Sequence, residues 1–318
     1  MPLQLFLFAL GLALVYFGAE WLLKGAAGLV HRYSVSPLIV GATVVALGTS
    51  MPEFVFNLFA AFSDEDGLAL GNIVGSNICN IALVLGASGL VFPLLASRDV
   101  LTRGYPSMML VLIVFYLVAL DGTISRIDGM VLAAMLIIFV FLIVRGRAYG
   151  GERQTSDAVL SGVANVPVSG RWKWVFLFAG ALLLAGGAWL MVKAAVNIAT
   201  MLGVSPVIIG LTVVAVGTSL PELATSLVGA LKGEAELSVG NVLGSNILNV
   251  LFVVGPIALF RPLHVEANVL TVHFPVMLAF GVLLLPVVWV RRRIGRMEGV
   301  FLLTGFLAYL AYLVMPYL

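Results

Sequence analysis

Long apolar stretches alternate with short polar breaks along almost the whole chain. About 20 apolar residues suffice to cross ~30 Å of hydrocarbon as a helix. Ten such runs are read here, over 2–30, 37–62, 68–92, 104–120, 127–146, 172–199, 205–231, 237–260, 268–290 and 297–317. The segment 147–171 is the one long polar stretch, with Gly150, Gly151, Glu152, Arg153, Gln154 and Asp157. It reads as a cytoplasmic linker between two five-helix halves, 1–146 and 172–318. The first run lacks a basic leader and a clear cleavage site and is too long for a signal peptide, so a retained first helix is expected.

Polar residues inside the runs follow a second pattern. GATVVALGTSMPE at 41–53 returns as GLTVVAVGTSLPE at 210–222, and GNIVGSNICN at 71–80 returns as GNVLGSNILN at 240–249. The offset is constant at 169 positions, carrying Glu53 onto Glu222 and Asn80 onto Asn249 without a gap. Five spans per half is an odd number, so the second copy is expected to enter the membrane upside down relative to the first. An inverted repeat with doubled, broken helices 2 and 7 at its centre suits a binding site shared by two halves.

Composition agrees with the pattern. The chain is 62% hydrophobic and 10% charged, with a mean hydropathy of +1.15, too few charges to cover a soluble surface of 318 residues. The expected class is an all-α, multi-pass membrane protein of the cell (inner or plasma) membrane, its partner the lipid bilayer. Nothing in the sequence calls for a nucleic acid or an obligatory protein partner.

The location of charge predicts orientation. Thirteen of the seventeen Lys and Arg fall in odd-numbered loops: Arg32, Arg98, Arg103, Arg145, Arg147, Arg153, Arg171, Lys173, Lys232, Arg291, Arg292, Arg293 and Arg296. Only Arg126 and Arg261 lie opposite, while Lys24 and Lys193 are within spans and read as snorkelling ends. The positive-inside rule then places the odd loops in the cytoplasm and both termini outside. The Arg291–Arg293 cluster is a topology anchor that can also meet anionic lipid.

The candidate chemistry sits in the repeats. Pro52 cannot donate to the Gly48 carbonyl, and Gly48 loosens the same turn, so the helix should break there and free carbonyls around Ala46 to Gly48. Freed backbone survives at membrane depth only where something polar satisfies it, and a dehydrated cation would do so. Ala215, Gly217, Thr218, Ser219, Pro221 and Glu222 repeat the arrangement. Ser76 with Asn80, and Ser245 with Asn249, each share a helix face one turn apart. Gly71, Gly75, Gly240 and Gly244 give small faces for close helix approach. The combined donors are the carboxylates of Glu53 and Glu222, the hydroxyls of Thr49, Ser50, Ser76, Thr218, Ser219 and Ser245, the amides of Asn80 and Asn249, and freed carbonyls.

That set is all oxygen, which suits hard cations such as Ca²⁺ and not Zn²⁺ or copper. His31, His264 and His273 lie outside both motifs, and Cys79, the single cysteine, reads as a small packing residue and excludes an intrachain disulfide. Two glutamates neutralise one divalent ion or bind two or three monovalent ones. Competition for the same carboxylates is the simplest physical basis for obligatory exchange. Glu20, whose repeat partner is Trp189, pairs with Lys24 one turn on and reads as structural. The acidic loop 64–66 reads as a solvated tip, as do Glu234 and Glu236.

At these residues the chain resembles the cation/Ca²⁺ exchanger superfamily, and within it the prokaryotic sodium/calcium exchangers. GTSMPE and GTSLPE, paired with GNIVGSNICN and GNVLGSNILN, are specific, and the likeness covers essentially the whole chain. The resemblance implies alternating access at a central site, with Glu53 and Glu222 as the main Ca²⁺ ligands aided by Thr49 and Thr218. Na⁺ would share those groups with Ser76, Ser245 and the carbonyls of Ala46 and Ala215. Spans 1 and 6 would slide as a gate against the other eight, and Gly11, Gly18, Ala19, Gly186, Gly187 and Ala188 suit such contact. GTS-x-PE favours sodium coupling over the proton-coupled branch. One departure stands out: well-studied members often carry an acid where this chain has Asn249, leaving a formal charge of −2 that one Ca²⁺ balances and three Na⁺ exceed.

The expected function is therefore a secondary antiporter that exchanges Na⁺ for Ca²⁺ and normally extrudes Ca²⁺, with both ions as cargo and no cofactor. The alternative is Ca²⁺/H⁺ exchange, with the glutamates carrying protons. A passive channel fits a single carboxylate pair less well. No nucleophile–base pair or phosphate loop supports an enzyme.

Overall fold

The computed structural model describes residues 1–33, 36–144, 170–203 and 215–315. Their order is α1 (Pro2–Tyr33), α2 (Pro37–Thr49), α3 (Met51–Phe62), α4 (Asp66–Val91), β1 (Leu94–Leu95), α5 (Val100–Ala119), β2 (Thr123–Ile124) and α6 (Arg126–Val144). Then come α7 (Trp172–Met201), α8 (Ala215–Thr218), α9 (Leu220–Leu231), α10 (Ala235–Phe260), β3 (Leu263–His264), α11 (269–291), β4 (Arg293–Ile294) and α12 (Arg296–Val314). Among the described residues eight helices are long and apolar enough to cross a bilayer, and α2 with α3 passes as one bent span. Residues 147–169 of the predicted linker and the first part of predicted span 205–231 lie outside the described residues.

Burial sorts the helices. In α4 and α10, 78% and 83% of the apolar stretch is buried, against 17% in α6 and in α12, so α4 and α10 form the centre. Outer helices pack on the central helix of the other half, where small residues permit contact. A Cβ at Gly129 of α6 would lie 2.7 Å from the Leu259 nitrogen of α10, and one at Gly299 of α12 would lie 2.6 Å from the Gly86 carbonyl of α4.

Among the described residues, two pairings of two residues each are the exception to an otherwise helical architecture. Leu94 and Leu95 pair antiparallel with Ile294 and Arg293, while Thr123 and Ile124 pair with His264 and Leu263. Each joins a loop before residue 145 to one after residue 171.

Five π-helical segments among the described residues were not predicted: Gly41–Val45, Asn80–Val84, Val100–Gly104, Asn249–Val254 and Val269–His273. Such wide turns inside helices recur at functional sites. Two of them begin at the candidate ligands Asn80 and Asn249. The segment at 100 also explains why α5 starts before the predicted residue 104.

α1 and α7 run antiparallel in close contact. A Cβ at Gly11 would meet the Gly187 carbonyl at 2.9 Å, one at Gly18 the Leu184 nitrogen at 2.6 Å, and one at Gly25 the Leu177 nitrogen at 2.8 Å. The expectation that Gly11, Gly18 and Gly187 form a sliding face is corrected: they lock α1 to α7. Gly186 meets nothing within 4 Å among the described residues. Ala19 and Ala188 are buried. Glu20 keeps Lys24 at 3.0 Å and adds Lys232, also at 3.0 Å, which ties α1 to the end of α9.

The acidic loop is corrected too. Arg261 bonds Asp64 at 2.7 Å and also pairs with Asp66, whose other oxygen accepts the His264 backbone N–H at 3.0 Å. Lys173, counted as a loop charge, is buried with its ammonium 4.7 Å from the Tyr33 ring centre. Lys193 is exposed beside Trp189, as a snorkelling lysine should be.

Candidate functional site

The sequence breaks its helices where proline dictates. α2 and α3 meet at Ser50 with a bend of 46°, and Pro52 takes the second position of α3, where a missing N–H costs no helical bond. Ser50 has φ −85° and ψ 3°; Ser219, between α8 and α9, has φ −88° and ψ 5°. The two junctions thus share one local geometry. Each puts its glutamate third in the following helix, in the first turn, where the positive end of the helix dipole favours a carboxylate.

One expectation fails at the first break. The Ala46 carbonyl is not freed: it accepts the Ser50 N–H at 2.9 Å and lies 3.2 Å from the Thr49 hydroxyl. The bend falls at Ser50, so the turn starting at Ala46 stays closed. The Ala46 oxygen keeps a second lone pair only when the single Thr49 hydroxyl proton is given to Asn241 Oδ1 instead. Ala215 begins the described part of the second break.

Both carboxylates are sealed in the interior. Glu53 is 1% exposed and Glu222 0%, and Ser50 donates to Glu222 Oε1 at 3.2 Å, which brings Glu222 against the turn that carries Glu53. The surrounding hydroxyls interlock reciprocally. Thr49 Oγ1 lies 3.1 Å from Asn241 Oδ1 and 3.4 Å from Ser245 Oγ. Thr218 Oγ1 lies 3.0 Å from Asn72 Oδ1 and 3.4 Å from Ser76 Oγ. These are the same two contacts under the 169-residue offset, and each crosses between the repeats.

Close approach makes this possible. α2 lies against α10 with no side chain between: a Cβ at Gly41 would be 2.5 Å from the Leu237 carbonyl, and one at Gly240 2.6 Å from the Leu38 carbonyl. Gly244 would collide likewise with Ala42. Gly71 and Gly75 meet nothing within 4 Å among the described residues, where the predicted small face is seen on α10.

Several buried polar atoms have no partner among the described residues. Among them are both oxygens of Glu53, Glu222 Oε2, Ser219 Oγ and both amide atoms of Asn80 and Asn249. A buried charge or amide is costly unless compensated. The orphaned groups are predominantly oxygens and come from both repeats, the donor chemistry a hard cation needs. Among the described residues no three His, Cys, Asp or Glu converge as a metal cluster. Cys79 is buried, and His273 is engaged by Tyr309 at 2.8 Å.

Asn72 and Asn241 escaped the sequence reading, as did Ser226, whose Oγ accepts Asn241 Nδ2 at 3.1 Å. The asparagines stand inside the repeated motifs, one turn before Ser76 and Ser245, so the spacing that selected the serines also pointed to them.

Comparison with known proteins gives a consistent picture. The family model described as "Sodium/calcium exchanger protein" matches residues 3–145 and 172–315. "Inner membrane protein YrbG" of Escherichia coli (strain K12) is 37% identical over 96% of this chain and 95% of its own length. "Sodium/calcium exchanger MaX1" of Methanosarcina acetivorans is 30% identical over 96% of each. A solved structure of the sodium-calcium exchanger NCX_Mj, soaked with zero Na⁺ and Ca²⁺, superposes with a TM-score of 0.82 at 32% identity, covering 98% of this chain and 99% of that one.

Proposed function

The chain belongs to the sodium/calcium exchanger family, and from that premise we propose that it is a secondary antiporter in which inward Na⁺ drives Ca²⁺ out by alternating access. The observation that carries this reading is the meeting of Glu53 and Glu222 in a fully buried, oxygen-lined centre joined by Ser50. Ca²⁺ is bound chiefly by these two carboxylates, with Thr49 and Thr218. Na⁺ competes for the same groups and for Ser50, Ser219, Ser76, Ser245, Asn80, Asn249 and the carbonyls of Ala46 and Ala215. The two carboxylates cannot serve both loads at once, so filling by one cation type expels the other.

The proposed architecture is ten spans in two inverted halves, 1–146 and 172–318, joined by a cytoplasmic linker, with both termini outside. Reciprocal Thr–Asn contacts under the 169-residue offset, and strand pairs that reciprocate at offsets of 169 and 170, support the pseudo-two-fold relation. The Lys and Arg distribution supports the orientation. With Asn at both 80 and 249 the centre carries −2, so exchange of three Na⁺ for one Ca²⁺ moves net charge.

Purified protein in liposomes loaded with ⁴⁵Ca²⁺ tests the coupling ion. An imposed Na⁺ gradient should release Ca²⁺ and a pH gradient alone should not. Release by pH and not by Na⁺ would transfer the assignment to Ca²⁺/H⁺ exchange.

A further inference from the structure

The two repeats part company where they leave the centre. Along α10 the polar side chains Ser238, Asn241, Ser245 and Asn249, led by Glu234 at the helix cap, follow at three- or four-residue steps and share one face. None is more than 5% exposed. The matching positions on α4 are Glu65, Ala69, Asn72, Ser76 and Asn80. There Glu65 is exposed and Ala69 carries no polar atom. The stripe ends inside the molecule on α4, but on α10 it runs out to the helix start.

Its partners across the α9–α10 seam are oxygens. Ser238 Oγ lies 2.9 Å from the Ser226 carbonyl and 3.2 Å from that of Glu234. Asn241 bridges from Ser226 to Thr49, and hence to the central site. Gly229 faces Ser238 so closely that a Cβ would lie 2.5 Å from its hydroxyl, so a larger residue would close the seam.

Glu234 stands at the outer end. It occupies the N-cap of α10 without accepting a backbone N–H, and both its oxygens are buried without a partner among the described residues. Burial pushes its carboxyl up to about 7, against the opposing pull of Lys232. Lys232 is itself held by Glu20 of α1, which also binds Lys24. The remaining nearby charge, Glu236, is turned toward Ser97 and Asp99.

We propose that Glu234, with the Ser238 hydroxyl and the Ser226 carbonyl, is a vestibule site for a hard cation moving between the cytoplasmic face and the two central glutamates, with a proton as the competing occupant. The inference rests on the exchanger reading. At pH 8 the ionised carboxylate attracts a cation; at pH 6 it is neutral and does not.

The test uses everted membrane vesicles containing the full chain, with pH varied on the cytoplasmic side only and Ca²⁺ or Na⁺ titrated there. In the wild type the KM of the cation that uses the site should rise as pH falls from 8 to 6. E234Q should show the high KM at both pH values, about tenfold above wild type at pH 8, with KM and not the maximal rate carrying the change. A shift for Ca²⁺ alone or Na⁺ alone identifies the occupant. Should E234Q fail to fold, S238A carries the test: it should raise KM while keeping the pH dependence. Wild-type exchange with an unaltered KM-against-pH curve in the variants overturns the vestibule and spares the exchanger. Absence of counter-ion-driven Ca²⁺ movement in the wild type overturns both.

Discussion

Substituting Gly240 by alanine probes whether the α2–α10 contact sets the site. The added Cβ would stand 2.6 Å from the Leu38 carbonyl, 3.1 Å from the Ala42 nitrogen and 3.2 Å from the Gly41 Cα. Ordinary contact begins near 3.4 Å, so the helices must part by about 0.8 Å, because the atoms met are backbone and cannot rotate away. Carried rigidly to the centre, that shift takes the 3.1 Å contact of Thr49 with Asn241 to about 3.9 Å, outside hydrogen-bond range. Overpacking of this kind costs about 1–3 kcal/mol. G240A should therefore still fold, melt a few degrees lower, and lose Ca²⁺ exchange by about tenfold or more in proteoliposomes, since small displacements of ligating groups are expensive. G186A is the control. Nothing among the described residues lies within 4 Å of its methyl, and alanine favours a helix by about 0.4–1 kcal/mol. A G240A protein with wild-type rate and Ca²⁺ KM would refute the reasoning.

Two further outcomes are expected. E53Q and E222Q should each abolish Ca²⁺ exchange in the liposome assay while eluting as monodisperse protein in detergent, and wild-type flux in either would contradict the site assignment. R261A should lower unfolding stability by about 1 kcal/mol in a thermal melt, chiefly through Asp66, because Asp64 is 88% exposed and such surface pairs contribute little; an unchanged melt would show the loop needs no clamp.

The long apolar helices among the described residues were legible because hydrocarbon demands long apolar runs, and the bend at Ser50 because Pro52 removes one N–H. The candidate site was proposed from sequence because both repeats write Glu, Thr, Ser and Asn into apolar helices. Other features have no local signal. The π turns that begin at Asn80 and Asn249 are shifts of hydrogen-bond register, which no residue type announces. The pairing of Arg261 with Asp64 and Asp66 spans about 195 positions, and the burial of Glu234 depends on helices far along the chain. For α1 and α7, glycine spacing marked a close contact, yet which surface those glycines faced was decided only by the antiparallel pairing.

The reciprocal two-residue strands have one more consequence. Leu94–Leu95 reaches forward to Arg293–Ile294, and Thr123–Ile124 reaches forward to Leu263–His264, so each connection stitches early chain to late chain. The molecule is thus closed like two clasped hands, and cutting the backbone between residues 145 and 169 would leave both stitches whole. Two separately synthesised pieces should find each other in the bilayer and work as one.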